Sequence, residues 1–142
     1  MNKYSQKYNK IHIVGCGSAY HAGIVGKYLI EKYKQIEVNV YIASEYRYQK
    51  CFYDKNTLVI FISQSGDNID TLGIVNVVSS SIAREVDNVI YTKAGCEIAV
   101  ATTKAYTAQV VILSLLALGN NFKNNNINLS EVLNKDYLKL SK

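Results

Sequence analysis

The chain has few of the residues that build metal centres and disulfide frameworks. Its three cysteines, Cys16, Cys51 and Cys96, are odd in number, far apart and without a Cys-x-x-Cys pair or neighbouring histidine ligands. Neither a disulfide framework nor a zinc site is supported, and reduced thiols fit a cytoplasmic protein. A membrane-length run is also missing. The most apolar stretch, residues 110–118, is interrupted by Ser114 and has about half of the roughly 20 residues that a helix needs to cross a bilayer. The first seven residues are polar where a secretory leader would be apolar. Charge of one sign is not concentrated: the net charge is +5, but the lysines are scattered from Lys3 to Lys142 with no dense basic and aromatic cluster. The expectation is no nucleic acid and no membrane, with a basic surface that helps attract anionic metabolites. Internal repeats are lacking, and the one compositional bias is an asparagine-rich tract at 120–126.

What the chain does have is enough apolar material for one core. Of its 142 residues 49% are hydrophobic, which suits a single domain. A short apolar run at 11–15 ends in Gly15-Cys16-Gly17-Ser18 and reads as a buried strand feeding a tight turn. Ala22, Ile24, Val25, Tyr28, Leu29 and Tyr33 then recur near the helical period, up to Lys34. Further strands are expected at 38–42, 58–62, 74–78 and 86–91, each rich in aliphatic or β-branched residues. Near-continuous apolar strands are what a parallel sheet covered on both faces requires, so the fold class is α/β: a three-layer, doubly wound, mostly parallel sheet of about five strands. A long helix at 103–118 is apolar around most of its second half, so it packs internally or forms a subunit interface. The expected organisation is a polar arm at 1–9, one domain at 10–119, and a linker at 120–142 whose short helix Ser130 caps.

Ligands of parallel sheets bind beyond the carboxyl ends of the strands, which directs attention to three loops. Gly15 and Gly17 let the backbone turn sharply, and Ser18 places a hydroxyl at a helix N-terminus, where free N–H groups favour an anion. Any strand-to-helix turn also favours Gly and Ser, so this loop alone is a weak signal. Residues 63–68, Ser63-Gln64-Ser65-Gly66-Asp67-Asn68, gather two hydroxyls and two amides around a glycine. Such a loop can wrap a phosphomonoester without metal or lysine. An ordinary capped turn would employ one of these side chains and leave the others idle. In the third loop, Glu97 and Thr102-Thr103-Lys104 precede the long helix, and either capping or contact with sugar hydroxyls accounts for them. His12 reads as structural, and His21 stands in the first turns of the first helix, close enough to its loop to matter. No catalytic residue, metal cluster or cofactor site can be assembled.

The segments Gly15-Cys16-Gly17-Ser18-Ala19-Tyr20-His21-Ala22-Gly23, Ala43-Ser44-Glu45-Tyr46-Arg47-Tyr48, Ser63-Gln64-Ser65-Gly66-Asp67 and Glu97–Thr107 stand in the order found in the sugar isomerase (SIS) domain family. They resemble most the first such domain of the glutamine:fructose-6-phosphate aminotransferases, over residues from about 10 to 119. The resemblance implies a flavodoxin-like SIS fold. It implies a phosphorylated hexose as ligand, its phosphate held by Ser63, Gln64, Ser65 and Asn68 and its sugar lined by Gly17, Ser18, Val100 and Thr102. Glu97, Lys104 and His21 would support the site. It further implies a role in amino-sugar metabolism. Companion glutaminase and SIS domains would be needed for turnover, so that this chain alone is inactive.

Three departures stand out. Ala19 replaces a serine that usually helps hold phosphate, and a lost hydroxyl to a charged group costs on the order of 1.5–3 kcal/mol. Asn68 replaces a threonine but can still donate. Only about eleven residues separate the expected third and fourth strands, where the family has a full helix and a parallel crossover needs roughly a dozen or more. One crossover helix is therefore expected to be shortened or missing, leaving a sheet face that would call for a homo-oligomer. Two alternatives remain beside the binding domain: a stand-alone oligomeric aldose–ketose isomerase and a degenerate remnant that binds nothing. A nicotinamide-binding domain is disfavoured because Tyr20 occupies the place of the third fingerprint glycine.

Overall fold

Five aliphatic runs do form strands, and side-chain alternation sorts them into two buried layers. The computed structural model describes residues 7–49, 54–62, 71–78, 80–95 and 103–119. In chain order the elements are β1 (Lys10–Gly15), α1 (Ser18–Lys34), β2 (Glu37–Ile42), α2 (Ala43–Tyr46), β3 (Thr57–Ile62), β4 (Thr71–Val75), α3 (Ser81–Glu85), β5 (Asn88–Tyr91) and α4 (Thr103–Leu118). The sheet order is β2-β1-β3-β4-β5, and all four pairings are parallel.

Because successive strand side chains point to opposite faces, Ile11 and Ile13 of β1 join Leu58, Ile60 and Ile62 of β3 on one side, packed against Ile30 of α1 and Ile112, Leu113 and Leu116 of α4. Val14, Val59, Phe61 and Val75 lie on the other, against Ile82 of α3. Central β3 is buried at all six positions. Small residues set the depth of the α1–α4 layer. A Cβ at Gly23 would stand 2.9 Å from Ile13 Cγ2, and one at Gly26 2.9 Å from Leu113 Cδ1, so α1 touches both the sheet and α4 only because these positions are bare. The β2 edge is closed by side chains: Lys27 Nζ donates to the Val38 carbonyl at 2.5 Å and Glu31 Oε1 accepts from the Val38 N–H at 3.2 Å, which occupies groups a foreign strand would otherwise pair with.

Several expectations need correction. The fourth strand lies at Thr71–Val75, not at 74–78, and Val77 and Val78 are exposed. Thr71 is pinned by its N–H and its hydroxyl, both donating to Asp87 Oδ2 at 2.9 Å, which draws the strand three residues earlier than its aliphatic run suggests. The fifth strand starts at Asn88 because the Val86 N–H closes α3 on the Ile82 carbonyl. Helices α2 and α3 were not anticipated; α3 is capped by Ser80, whose Oγ accepts from the Ala83 N–H.

Residues 63–70 alone connect β3 to its parallel neighbour β4. The register makes this feasible: Thr71 pairs with Val59, so the chain must retreat about three residues, roughly 10 Å, and shift one strand spacing of about 4.8 Å, well within the ~30 Å reach of nine Cα–Cα links. The expected open face is not found. Val59, Phe61 and Val75 are 1%, 2% and 5% exposed. Tyr46 of α2 meets Phe61 edge-on, with ring centroids 6.3 Å apart. Gly73 lets Val86 and Ile82 approach so closely that a Cβ there would lie 3.0 and 3.2 Å from their methyl groups. Oligomerisation therefore gains no support from an uncovered sheet. The expected terminal helix lies outside the described residues.

Candidate functional site

In the order 2-1-3-4-5 the direction of winding reverses between β1 and β3, and the crevice beyond their carboxyl ends is where such sheets take ligands. Here Gly15 pairs with Ile62, the last residue of each strand. The turn that leaves β1 and the segment that leaves β3 therefore emerge side by side. Gly15 is needed for the turn itself, since a Cβ there would lie 3.1–3.3 Å from the backbone and side chain of Ala19 and the Tyr20 nitrogen.

Gly17 has φ 56° and ψ −130° and is the N-cap of α1. A Cβ at Gly17 would meet no atom within 4 Å, so conformation and not space selects glycine there. As a glycine, this N-cap has no side chain with which to cap the helix. The Ala19 N–H donates to the Cys16 carbonyl at 3.1 Å and the His21 N–H to the Gly17 carbonyl at 3.3 Å. Ser18 opens the helix, half-buried, and Cys16, Gly17 and His21 are exposed. The His21 ring lies against Tyr20, centroid to centroid 5.7 Å. The result is a positive helix end facing an open glycine turn, a geometry that suits an anion. Ala19 points into the α1–α4 core and is 6% exposed, so the position that departs from the family pattern has become a packing residue.

Lys104 stands exposed in the first turn of α4. Ser63, Gln64, Ser65, Asn68, Glu97, Val100 and Thr102 lie outside the described residues. His12 is buried in β1, with Nδ1 3.1 Å from the Tyr46 hydroxyl and its ring 4.9 Å from that of Tyr41. Burial pushes its imidazole below the ordinary range, nearby Lys10 adds to the shift, and Glu37 opposes it. It belongs to the second layer and is structural, as the sequence suggested. Sequence reasoning missed Asn76, directly after β4, whose side chain bonds three groups in 92–95, the segment leaving β5.

A family model described as SIS domain matches residues 4–75 and 67–119. The chain belongs to the SIS domain family. Among curated relatives, this SIS domain is 54% identical over 127 residues to the glutamine–fructose-6-phosphate aminotransferase (isomerizing) of Clostridium tetani, covering 80% of the chain and 21% of the relative. It is 52% identical over 124 residues to that of Clostridium acetobutylicum, with 78% and 20% covered. The chain thus spans about a fifth of the length of the curated relatives it matches. Among solved structures, the C-terminal domain of glucosamine-fructose-6-phosphate aminotransferase from Francisella tularensis superimposes with a TM-score of 0.73 at 40% identity, over 80% of this chain and 36% of that one. A glucosamine-6-phosphate deaminase from Thermotoga maritima shares the fold, with a TM-score of 0.69 at 24% identity over 84% and 43% of the two chains.

The match to the C. tetani enzyme is 127 positions long but takes up 80% of this chain, about 114 of 142 residues, so the relative carries about 13 positions that this chain has not. The family match is itself broken into two pieces that overlap at 67–75, beside the β3–β4 connection. The crossover helix expected to be shortened or missing lies outside the described residues. Among the described residues no helix is long and apolar enough to cross a membrane.

Proposed function

We propose that this SIS domain binds a phosphorylated hexose, of the fructose 6-phosphate or glucosamine 6-phosphate class, in the crevice beyond β1 and β3. The observation that carries this reading is the alignment of Gly15 with Ile62, which sets the glycine turn into α1 beside the carboxyl end of β3, after which Ser63 follows in the sequence. On this reading Ser63, Gln64, Ser65 and Asn68 hold the phosphate. Gly17, Ser18, Val100 and Thr102 line the sugar, and Glu97, Lys104 and His21 support the loops. On this reading the ligand belongs to amino-sugar metabolism, which the similarity to aminotransferases supports, and the protein works in the cytoplasm. Holding a phosphate orients a substrate but moves no proton, so turnover would require companion glutaminase and SIS domains, and the chain alone is inactive.

Thermal unfolding with millimolar fructose 6-phosphate or glucosamine 6-phosphate, against inorganic phosphate, tests the proposal. A ligand at about 100 times its dissociation constant adds roughly 2.7 kcal/mol. The expected result is a sugar-specific rise in Tm that a Ser63→Ala, Ser65→Ala variant loses. A cooperative transition that no sugar phosphate moves would overturn it.

A further inference from the structure

Asn76 follows the last residue of β4 at the carboxyl end of the sheet and turns its whole amide on one neighbouring segment. Its Oδ1 accepts from the Ala94 N–H at 2.8 Å and from the Thr92 hydroxyl at 2.9 Å, and its Nδ2 donates to the Gly95 carbonyl at 2.9 Å. Thr92 is buried, and its own N–H donates to the Val75 carbonyl at 2.9 Å. The strand ladder thus passes directly into the side-chain clamp. Within the clamped segment Lys93 has φ 48° and Gly95 φ 75°. A lysine rarely adopts that conformation, which persists where surrounding bonds over-determine it.

We infer that Asn76 is a positioning residue that fixes the turn 92–95 and so sets where the chain leaves β5 toward residues 96–102. The clamp rests on described bonds alone. Its consequence for ligand rests on the proposed function, because Val100 and Thr102 are the residues assigned there to the sugar. An amide is required: it accepts twice and donates once, whereas a carboxylate would set an oxygen against the Gly95 carbonyl.

The test compares the full chain with Asn76→Ala, Asn76→Asp and Thr92→Val, reading Ala94 amide exchange by NMR and fructose 6-phosphate affinity by titration. In Asn76→Ala, amide exchange should quicken and affinity fall, each on the order of tenfold. In Asn76→Asp the affinity deficit relative to wild type should shrink as pH falls from about 6 to about 4, into the ordinary aspartate range near 3.9, because the protonated carboxyl regains a donor for Gly95. Should Asn76→Ala fail to fold, the Asp and Thr92→Val variants carry the same comparison. Unchanged Ala94 exchange overturns the clamp. Faster exchange with unaltered affinity, or an Asp deficit indifferent to pH, overturns the positioning role. A wild-type chain that binds no sugar phosphate overturns the functional reading and the ligand half of this one, and exchange still decides the clamp.

Discussion

Replacing Asp87 by alanine should loosen β4 at the end where its crossover is shortest. Thr71, 4% exposed, donates both its N–H and its hydroxyl to Asp87 Oδ2 at 2.9 Å, and the Asp87 N–H returns a bond to Thr71 Oγ1 at 3.0 Å. In Asp87→Ala two donors on a buried residue lose a charged acceptor. Each such bond is worth about 1.5–3 kcal/mol when buried, but Asp87 is itself exposed, and water screens and partly replaces it, so about 2 kcal/mol in total is expected. Thr71→Val keeps the backbone bond and should cost about 1 kcal/mol. The double variant should then cost about 0.5–1 kcal/mol less than the sum of the singles, since the same contact is lost in both. Urea denaturation followed by circular dichroism, with an unchanged m, measures all three. Additive losses, or less than about 0.5 kcal/mol for Asp87→Ala, would refute the ring as the anchor of β4.

Two further perturbations probe the layers. Gly26→Ala removes a helix-interior glycine, ordinarily a gain of about 1 kcal/mol. Here the new methyl would stand 2.9 Å from Leu113 Cδ1 and 3.0 Å from its Cβ, and overpacking should win, for a net loss of about 1–2 kcal/mol in the same denaturation assay. For His12 the folded pKa is lowered by burial and by Lys10. Below the unfolded value of about 6.5 the unfolded chain therefore binds more protons, and stability falls as pH drops toward the folded pKa, by at most about 1.4 kcal/mol per pH unit. His12→Gln should flatten that part of the stability–pH curve, and a slope unchanged in the variant would assign it to other groups.

The parts of the fold written in local pattern were readable from the residues alone. β1 and β3 are short runs dominated by Ile, Val and Leu, α1 carries its apolar stripe, and the apolar second half of α4 is buried against α1. β4 was misplaced because its position is decided at a distance. Residues 74–78 look like a strand, yet Asn76 is spent on a turn 16 to 19 residues away, and the true start is held by Asp87, 16 residues beyond Thr71. Neither partner carries a local signature, and helices as short as α2 and α3 are too brief to show a period. At the site the Gly17–Ser18 turn was legible because φ 56° demands what the sequence supplies. Asn76 was not, because an asparagine after a strand reads as a loop residue until its three partners are seen.

The short β3–β4 connection and the proposed site can coexist because of how β4 is held. Its amino end is tied to Asp87, just before β5, and Asn76, just past its carboxyl end, is tied to the segment leaving β5. Between these ties the two strands pair from Leu72 with Asn88 to Val75 with Tyr91. The face toward α2 and α3 is closed at Gly73 by Val86 and Ile82. None of these contacts comes from the β3–β4 connection, so the strand is held without it. The reversal point between β1 and β3 is set by a register that runs unbroken from Lys10 with Thr57 to Gly15 with Ile62. The residues assigned to phosphate therefore lie between two strands whose places are each fixed without them.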